Sequence, residues 1–189
     1  MKKIQLIISA AIMAIMVAAC TEESTTEGGM ATVDQMFQQI KSSYKGSFIS
    51  ANKSVRQINF VVDEKANVVV NKFPLDLILA KLYPYDYSTI AEPTEPVVLT
   101  APIKGFNIDA SLNFIDFSTN ESGTPPMEFT FTKDEVEHTG WAMVQAIGLY
   151  NMQLKTLTVQ FAVTDLIVDG QDRQSLTPIY YFIDSAVKE

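Results

Sequence analysis

The chain has 189 residues, with 14 Lys and Arg against 22 Asp and Glu, and a formal net charge of −8. Without residues 1–19 the chain has 170 residues, which is enough to bury the core of one domain and leaves little room for a second. The acidic balance repels phosphate backbones, so no nucleic acid partner is expected. The single cysteine excludes an intrachain disulfide.

Residues 1–19 predict a lipoprotein signal peptide. They begin with two lysines, continue as an apolar run and end on small residues before Cys20. Val17-Ala18-Ala19-Cys20 resembles the lipobox of bacterial lipoproteins, whose cysteine receives a diacylglycerol and becomes the new N-terminus. One alternative is a membrane-spanning helix, although the apolar run is short and contains Gln5 and Ser9. The other is an ordinary signal peptide with a stray cysteine near the cleavage site.

Residues 20–30 predict a lipidated cysteine followed by a flexible acidic tether, because residues 21–29 contain no apolar side chain. An anchor with two or more acyl chains holds a protein stably at a membrane. Thr21-Glu22-Glu23 resembles the export signal of Bacteroidetes-type lipoproteins, which implies an outer membrane lipoprotein exposed at the cell surface. The alternative is that these charges only keep the tether soluble. Cleavage would remove both leader lysines and bring the net charge to −10.

The domain predicted over residues 31–189 begins with a helix and then changes to strands. Apolar residues at helical spacing predict an amphipathic helix over residues 33–44, which Gly46 would end. Pro74 and Pro84 delimit a short inserted helix. Asp63-Glu64-Lys65 predicts a hairpin turn. Two-residue alternation predicts strands at 46–51, 55–62 and 66–73.

The second half of the chain carries the clearest strand patterns. Residues 106–114 alternate apolar and polar side chains, and residues 127–131 and 157–163 repeat the alternation. One polar face is typical of antiparallel sheets. Three prolines in residues 85–102 favour turns and edge strands there. A turn at residues 169–172 leads to a last strand at about residues 179–183.

Residues 141–150 are compatible with a helix or a strand, and Gly140 and Gly148 favour the strand because glycine is poor in helix interiors. The pattern predicts a mainly β chain of about 8–10 strands, with an N-terminal helix and one short inserted helix. Either an antiparallel β-sandwich or a small barrel fits that number of strands.

Three short motifs resemble a family of uncharacterised Bacteroidetes-type lipoproteins. They are Tyr44-Lys45-Gly46 after a helix, Asn71-Lys72-Phe73-Pro74 before a short helix, and the closing hydrophobic strand. Members are about 200 residues long and some neighbouring families adopt calycin-like barrels, which implies such a barrel by analogy. The resemblance carries no functional residue over to this chain.

No motif in the sequence predicts catalysis or a metal site. His138 could act as a metal ligand or as a base beside Glu135 or Glu137, but a solvated acidic turn is the plainer interpretation. A serine hydrolase elbow is absent, whereas a carboxylate pair drawn from distant strands stays open. Asp169 and Asp172 flank a glycine without the spacing of a calcium loop, which indicates a turn.

Aromatic residues supply the candidate ligand contacts, since exposed rings suit stacking on sugars or anchoring a protein. The alternative is that the tyrosines complete the packing around the short helix. Asp184-Ser185-Ala186 resembles an O-glycosylation acceptor with Ser185 as the modified residue, or is simply the end of the last strand. The aromatic candidates are Tyr83, Tyr85, Tyr87 and Trp141.

We therefore expect a non-enzymatic binding or interaction module, held at a membrane through Cys20 and contacting a glycan or an envelope protein. No cofactor is expected. One alternative is an envelope enzyme that acts on glycan or peptide through dispersed carboxylates. The other is a structural component of a surface assembly.

Overall fold

The computed structural model describes residues 33–91, 93, 95–109, 113–119 and 124–189. The predicted signal peptide, Cys20 and the tether lie outside these residues. The described part contains two α-helices, α1 (Val33–Ile40) and α2 (Asp76–Leu82), and ten strands. The strands are β1 (Ser42–Ile49), β2 (Val55–Val62), β3 (Asn67–Val70), β4 (Leu99–Asp109), β5 (Phe114–Thr119), β6 (Met127–Lys133), β7 (Val136–Asn151), β8 (Thr156–Val168), β9 (Gln171–Asp172) and β10 (Ile179–Lys188).

Eight of these strands close into an antiparallel barrel, in the order β7-β5-β4-β3-β2-β1-β10-β8 with β8 paired back to β7. The mainly β prediction is confirmed, and a barrel rather than a sandwich is the architecture. β6 and β5 follow one another along the same side of β7: β6 pairs with its first half and β5 with its second half. The β6–β7 pair therefore extends the barrel wall.

The two helices lie at opposite ends of the barrel. α1 immediately precedes β1, and its Phe37 ring lies 6.2 Å from that of Phe106 in β4. The Asp76 carboxylate at the start of α2 accepts a hydrogen bond from the Ala51 amide, just beyond the end of β1, at 2.9 Å. We call these the α1 end and the α2 end. β6 reaches the α2 end, because it pairs with the start of β7.

Among the described residues, aromatic side chains pack inside the barrel. The Phe161 ring packs edge-on against those of Phe60 and Phe73, at centroid distances of 6.3 and 5.8 Å. Phe73 in turn contacts Tyr181 at 4.8 Å, and Tyr44 stacks on Phe60 at 5.3 Å. An eight-stranded barrel is just wide enough for side chains to fill it. The interior is thus a packed core.

The first helix is shorter than predicted. α1 ends at Ile40, and Tyr44 lies in β1, where it is fully buried and its hydroxyl donates to the Ile40 carbonyl at 2.5 Å. Because residues four apart fall on one side of both a helix and a strand, the spacing from Ile40 to Tyr44 fits either. β1 accordingly spans Ser42–Ile49 instead of residues 46–51, and Gly46 lies inside it.

Two other strand predictions need correction. The strand predicted at 66–73 is limited to Asn67–Val70, because the Phe73 amide donates to Val97 outside the β3 ladder, at 2.7 Å. The strand predicted at 106–114 is the arms of a hairpin, in which Asp109 pairs with Phe114. Part of its turn, residues 110–112, lies outside the described residues. By contrast, β2 has the predicted bounds, and residues 141–150 are a strand within β7.

Candidate functional site

An open groove of about 480 Å³ lies beside β6 at the α2 end. One part of its lining comes from β6, β7, β8 and the turn after β8. The other comes from the segment before β4, which we call the proline segment and define as Pro93, Glu95, Pro96 and Val97. The volume lies within the ~300–1,000 Å³ range of small-ligand sites. The lining residues are Pro93, Glu95, Pro96, Val97, Glu128, Phe129, Thr130, Thr139, Gly140, Trp141, Ile167 and Gly170.

Trp141 is the candidate residue that the structure places in this groove. It pairs with Glu128 of β6 on one side and Ile167 of β8 on the other. Its neighbour Ala142 is fully buried, so the alternation of β7 directs Trp141 to the outer side of the wall, where it is half-buried. An indole in this position offers a flat apolar face to a ligand and an N–H donor at its edge.

The groove is acidic. Glu95 and Glu128 both line it and are exposed, and its lining contains no lysine, arginine or histidine within the described part of the chain. Negative lining charge attracts cationic ligands and repels phosphates and carboxylates. A glycan-cleaving enzyme would need two carboxylates at catalytic separation, and Glu95 and Glu128 are the acidic residues of this lining.

His138 has a partner that the sequence did not predict. Its Nδ1 lies 2.7 Å from Asp169 Oδ2, and Asp169 Oδ1 accepts the Thr139 amide at 3.1 Å. Those two hydrogen bonds, the one with His138 foremost, hold the pKa of the Asp169 carboxyl below its usual range. The pair ties β7 to the turn that follows β8, in place of the suggested contact with Glu135 or Glu137.

The His138 ring is packed as well as hydrogen-bonded. It stacks on Phe131 with the planes 15° apart and the centroids 5.0 Å apart. Acyl transfer would also need a hydroxyl or thiol within hydrogen-bond reach of the imidazole. Among the described residues, the hydrogen bond recorded for His138 is the one to Asp169. The described residues likewise hold no cluster of three or more metal-ligating His, Cys, Asp or Glu side chains. The hydrogen bond to Asp169 and the stacking on Phe131 together fix the position of the His138 ring.

The three candidate tyrosines are not in the groove lining. Tyr83 packs edge-on against Phe131 at 5.7 Å and carries the Lys133 ammonium 5.5 Å above its ring. Tyr87 is half-buried against the core, whereas Tyr85 is 96% exposed. Tyr83 and Tyr87 therefore contribute to packing near α2, and Tyr85 stands alone as an exposed ring.

Ser185 is exposed near the end of the last strand, with φ at +50°. Its hydroxyl donates to Asp184 Oδ1 at 2.9 Å, and its amide donates to Thr158 Oγ1 at 3.3 Å. The hydroxyl is accessible, and its glycosylation stays a prediction.

Comparison with protein-family models, with curated proteins and with solved structures found no match to this chain. The lipoprotein-family resemblance therefore stays a prediction. Across the described residues, no helix combines the length and the apolar character needed to cross a bilayer.

Proposed function

We propose that the protein is a lipid-anchored, non-enzymatic binding module that holds its ligand in the groove at the α2 end. The observation that carries the proposal is the groove itself, which places the only tryptophan of the chain beside polar and acidic side chains. The aromatic interior supports it, because among the described residues the rings of Phe60, Phe73, Phe161 and Tyr181 pack against one another inside the barrel. The groove lies on the outer surface, where Trp141 is half-buried.

An envelope enzyme is the second candidate, because Glu95 and Glu128 line the same groove.

Intrinsic fluorescence tests the groove directly, since Trp141 is the sole tryptophan. A ligand that enters the groove is expected to shift the emission maximum of Trp141, because it replaces water at the half-buried indole. Thr139→Arg, at an exposed residue of the lining, should weaken that titration by about tenfold or more.

The matched control is Ser43→Arg, which adds the same side chain at an exposed position near the α1 end. It should leave the titration unchanged. Ligands that bind by calorimetry without any change in Trp141 emission, and equally well to both arginine variants, would contradict a site in the groove.

The anchor has a separate test. Cys20→Ser is expected to move the protein from the membrane fraction to unlipidated precursor or soluble product, because serine offers no thiol for the diacylglycerol. The measurement is a carbonate-washed membrane fraction probed by immunoblot, with Ser24→Ala as the control that leaves Cys20 in place. Full retention of the Cys20→Ser variant in the membrane would rule out the anchor.

A further inference from the structure

Strand register brings Glu128 and Trp141 side by side on the outer face of the wall. The Thr132 amide and carbonyl bond to Ala91, at 3.1 and 3.0 Å, so they point away from β7. Because backbone groups alternate in direction along an antiparallel strand, Thr130 and Glu128 also make non-hydrogen-bonded pairs with β7. Glu128 pairs in this way with Trp141. The Cα atoms of such a pair are only about 4.5 Å apart, and its side chains lie close together.

Three more lining residues share this outer face. Thr130 and Thr139 form the next such pair, two residues along each strand, and Ile167 of β8 pairs with Trp141 from the other side. We call these five residues the outer platform: Glu128, Thr130, Thr139, Trp141 and Ile167. All of them line the groove. The indole therefore lies between a carboxylate and an apolar side chain, with two hydroxyl groups as its other neighbours.

The hydrogen-bonding groups of the lining select the kind of ligand. An ionised carboxylate, such as those of Glu95 and Glu128, only accepts hydrogen bonds, whereas the Trp141 indole N–H only donates and a threonine hydroxyl does both. An ammonium ligand has no acceptor for the indole N–H. A phosphate or carboxylate ligand would be repelled by the glutamates. Ligand hydroxyl groups, which donate and accept without carrying charge, satisfy the whole set.

A sugar ring also matches the apolar part of the groove. One face of a pyranose ring carries C–H groups, and its hydroxyls lie around the rim. The indole offers a flat apolar surface to such a face, and the proline segment adds apolar surface to the lining. We propose that the groove binds an uncharged pyranose ring of a glycan, which stacks on Trp141 while its hydroxyls donate to Glu128. This inference rests on the proposed function and names the ligand class for the same groove.

The direct probes are small ligands that differ in charge. Maltotriose, cellotriose and triacetylchitotriose are uncharged, trigalacturonate is anionic, and spermidine is a cationic amine without a sugar ring. At least one uncharged trisaccharide should shift Trp141 emission in a saturable manner. Its dissociation constant should change by less than about twofold between low and high salt, because the ligand has no charge to screen. Trigalacturonate should bind at least about tenfold more weakly.

Variants of Trp141 test the stacking, with calorimetry as the measurement because the fluorophore is changed. Trp141→Ala should weaken the best uncharged trisaccharide at least about tenfold, since aromatic anchors supply much of the binding energy at such contacts. Trp141→Phe keeps a flat ring and should recover part of that loss. Tyr85→Ala is the matched control, because it removes an exposed ring outside the groove and should leave the affinity unchanged.

Variants of Glu128 test the hydroxyl acceptor, and they decide the matter if Trp141→Ala fails to fold. Glu128→Ala should weaken the same trisaccharide at least about fivefold, as expected for the loss of a hydrogen bond to a charged group. Glu128→Gln keeps an acceptor oxygen and should lose less. The control is Glu137→Ala, at an exposed glutamate of β7 outside the lining. Affinity unchanged by Glu128→Ala would overturn the proposed contact.

The probes separate this inference from the proposed function. If spermidine shifts Trp141 emission, more weakly at high salt, and no uncharged trisaccharide does, the groove is a binding site but the sugar inference is wrong. If no probe shifts the emission, the sugar inference is overturned. A trisaccharide that binds by calorimetry without changing Trp141 emission, and binds equally well to Thr139→Arg, would overturn the groove as well.

Discussion

Phe161→Ala is expected to lower the free energy of unfolding by about 3–5 kcal/mol. Phe161 is fully buried in β8, and its ring contacts those of Phe60 and Phe73 from different parts of the chain. Removing it would leave a void between rings that are fixed by the strands around them, so the core could close only in part. Urea unfolding followed by circular dichroism measures the loss.

This variant distinguishes a packed barrel from a hollow one. In a hollow ligand-carrying barrel, an inward ring has solvent or ligand on one side, and truncating it costs little. Tyr85→Ala is the control, because Tyr85 is 96% exposed and its truncation should change stability by less than about 0.5 kcal/mol. A loss below about 1 kcal/mol for Phe161→Ala would contradict the packed interior and return the ligand site to the barrel.

Much of the sheet could be predicted because the strand signal is local. In β2, and along most of β7 and β8, inward residues are buried at every second position. The alternation over residues 106–114 predicts one strand where the chain forms a hairpin, because Phe114 is apolar and extends the pattern past the turn. In the hairpin, Ile108 pairs with Ile115 and Phe114 with Asp109, so the inward positions change from even to odd numbers across the turn.

The groove could be predicted only in part, because its lining residues are far apart in the sequence and are brought together by strand pairing. The sequence indicates Trp141 as a candidate because it is the single tryptophan, but Glu95 and Glu128 share no motif. The Ala91–Thr132 bridge brings their segments together, and nothing near either residue in the sequence specifies that bridge. His138 and Asp169, 31 residues apart, likewise meet because β7 pairs with β8. The local sequence feature at the groove is the pair Pro93 and Pro96, which favours turns and edge strands in this part of the chain.

Trp141 lies in β7, which pairs with three other strands of the barrel wall, and it is held between Glu128 of β6 and Ile167 of β8. β7 contacts β5, β6 and β8, and its inward residues must fit between rings from the facing strands. Gly148 in β7 pairs with Phe117 in β5, and the Phe117 ring occupies the space that a side chain at Gly148 would need. Glycine at this position is thus a packing requirement, which also explains why a strand tolerates it.

Gly148→Ala is therefore expected to destabilise the protein by about 2–4 kcal/mol, at or above the usual range for overpacking a core. An added Cβ would overlap Phe117 Cζ, and Phe117 is only 2% exposed, so its ring cannot swing into solvent. Gly105→Ala is the matched control: a Cβ there meets no atom within 4 Å, and the variant should be neutral or slightly more stable.

A double variant tests the cause of this loss. If the Phe117 ring is the obstacle, Phe117→Leu should destabilise the wild-type background yet cost less, or even stabilise, when Gly148→Ala is already present. If the losses of unfolding free energy were additive in this double-mutant cycle, the alanine would act elsewhere. The stability changes of two substitutions that share no contact add within about 0.5 kcal/mol. A positive coupling would establish that the Phe117 ring of β5 is what requires a glycine at position 148 of β7.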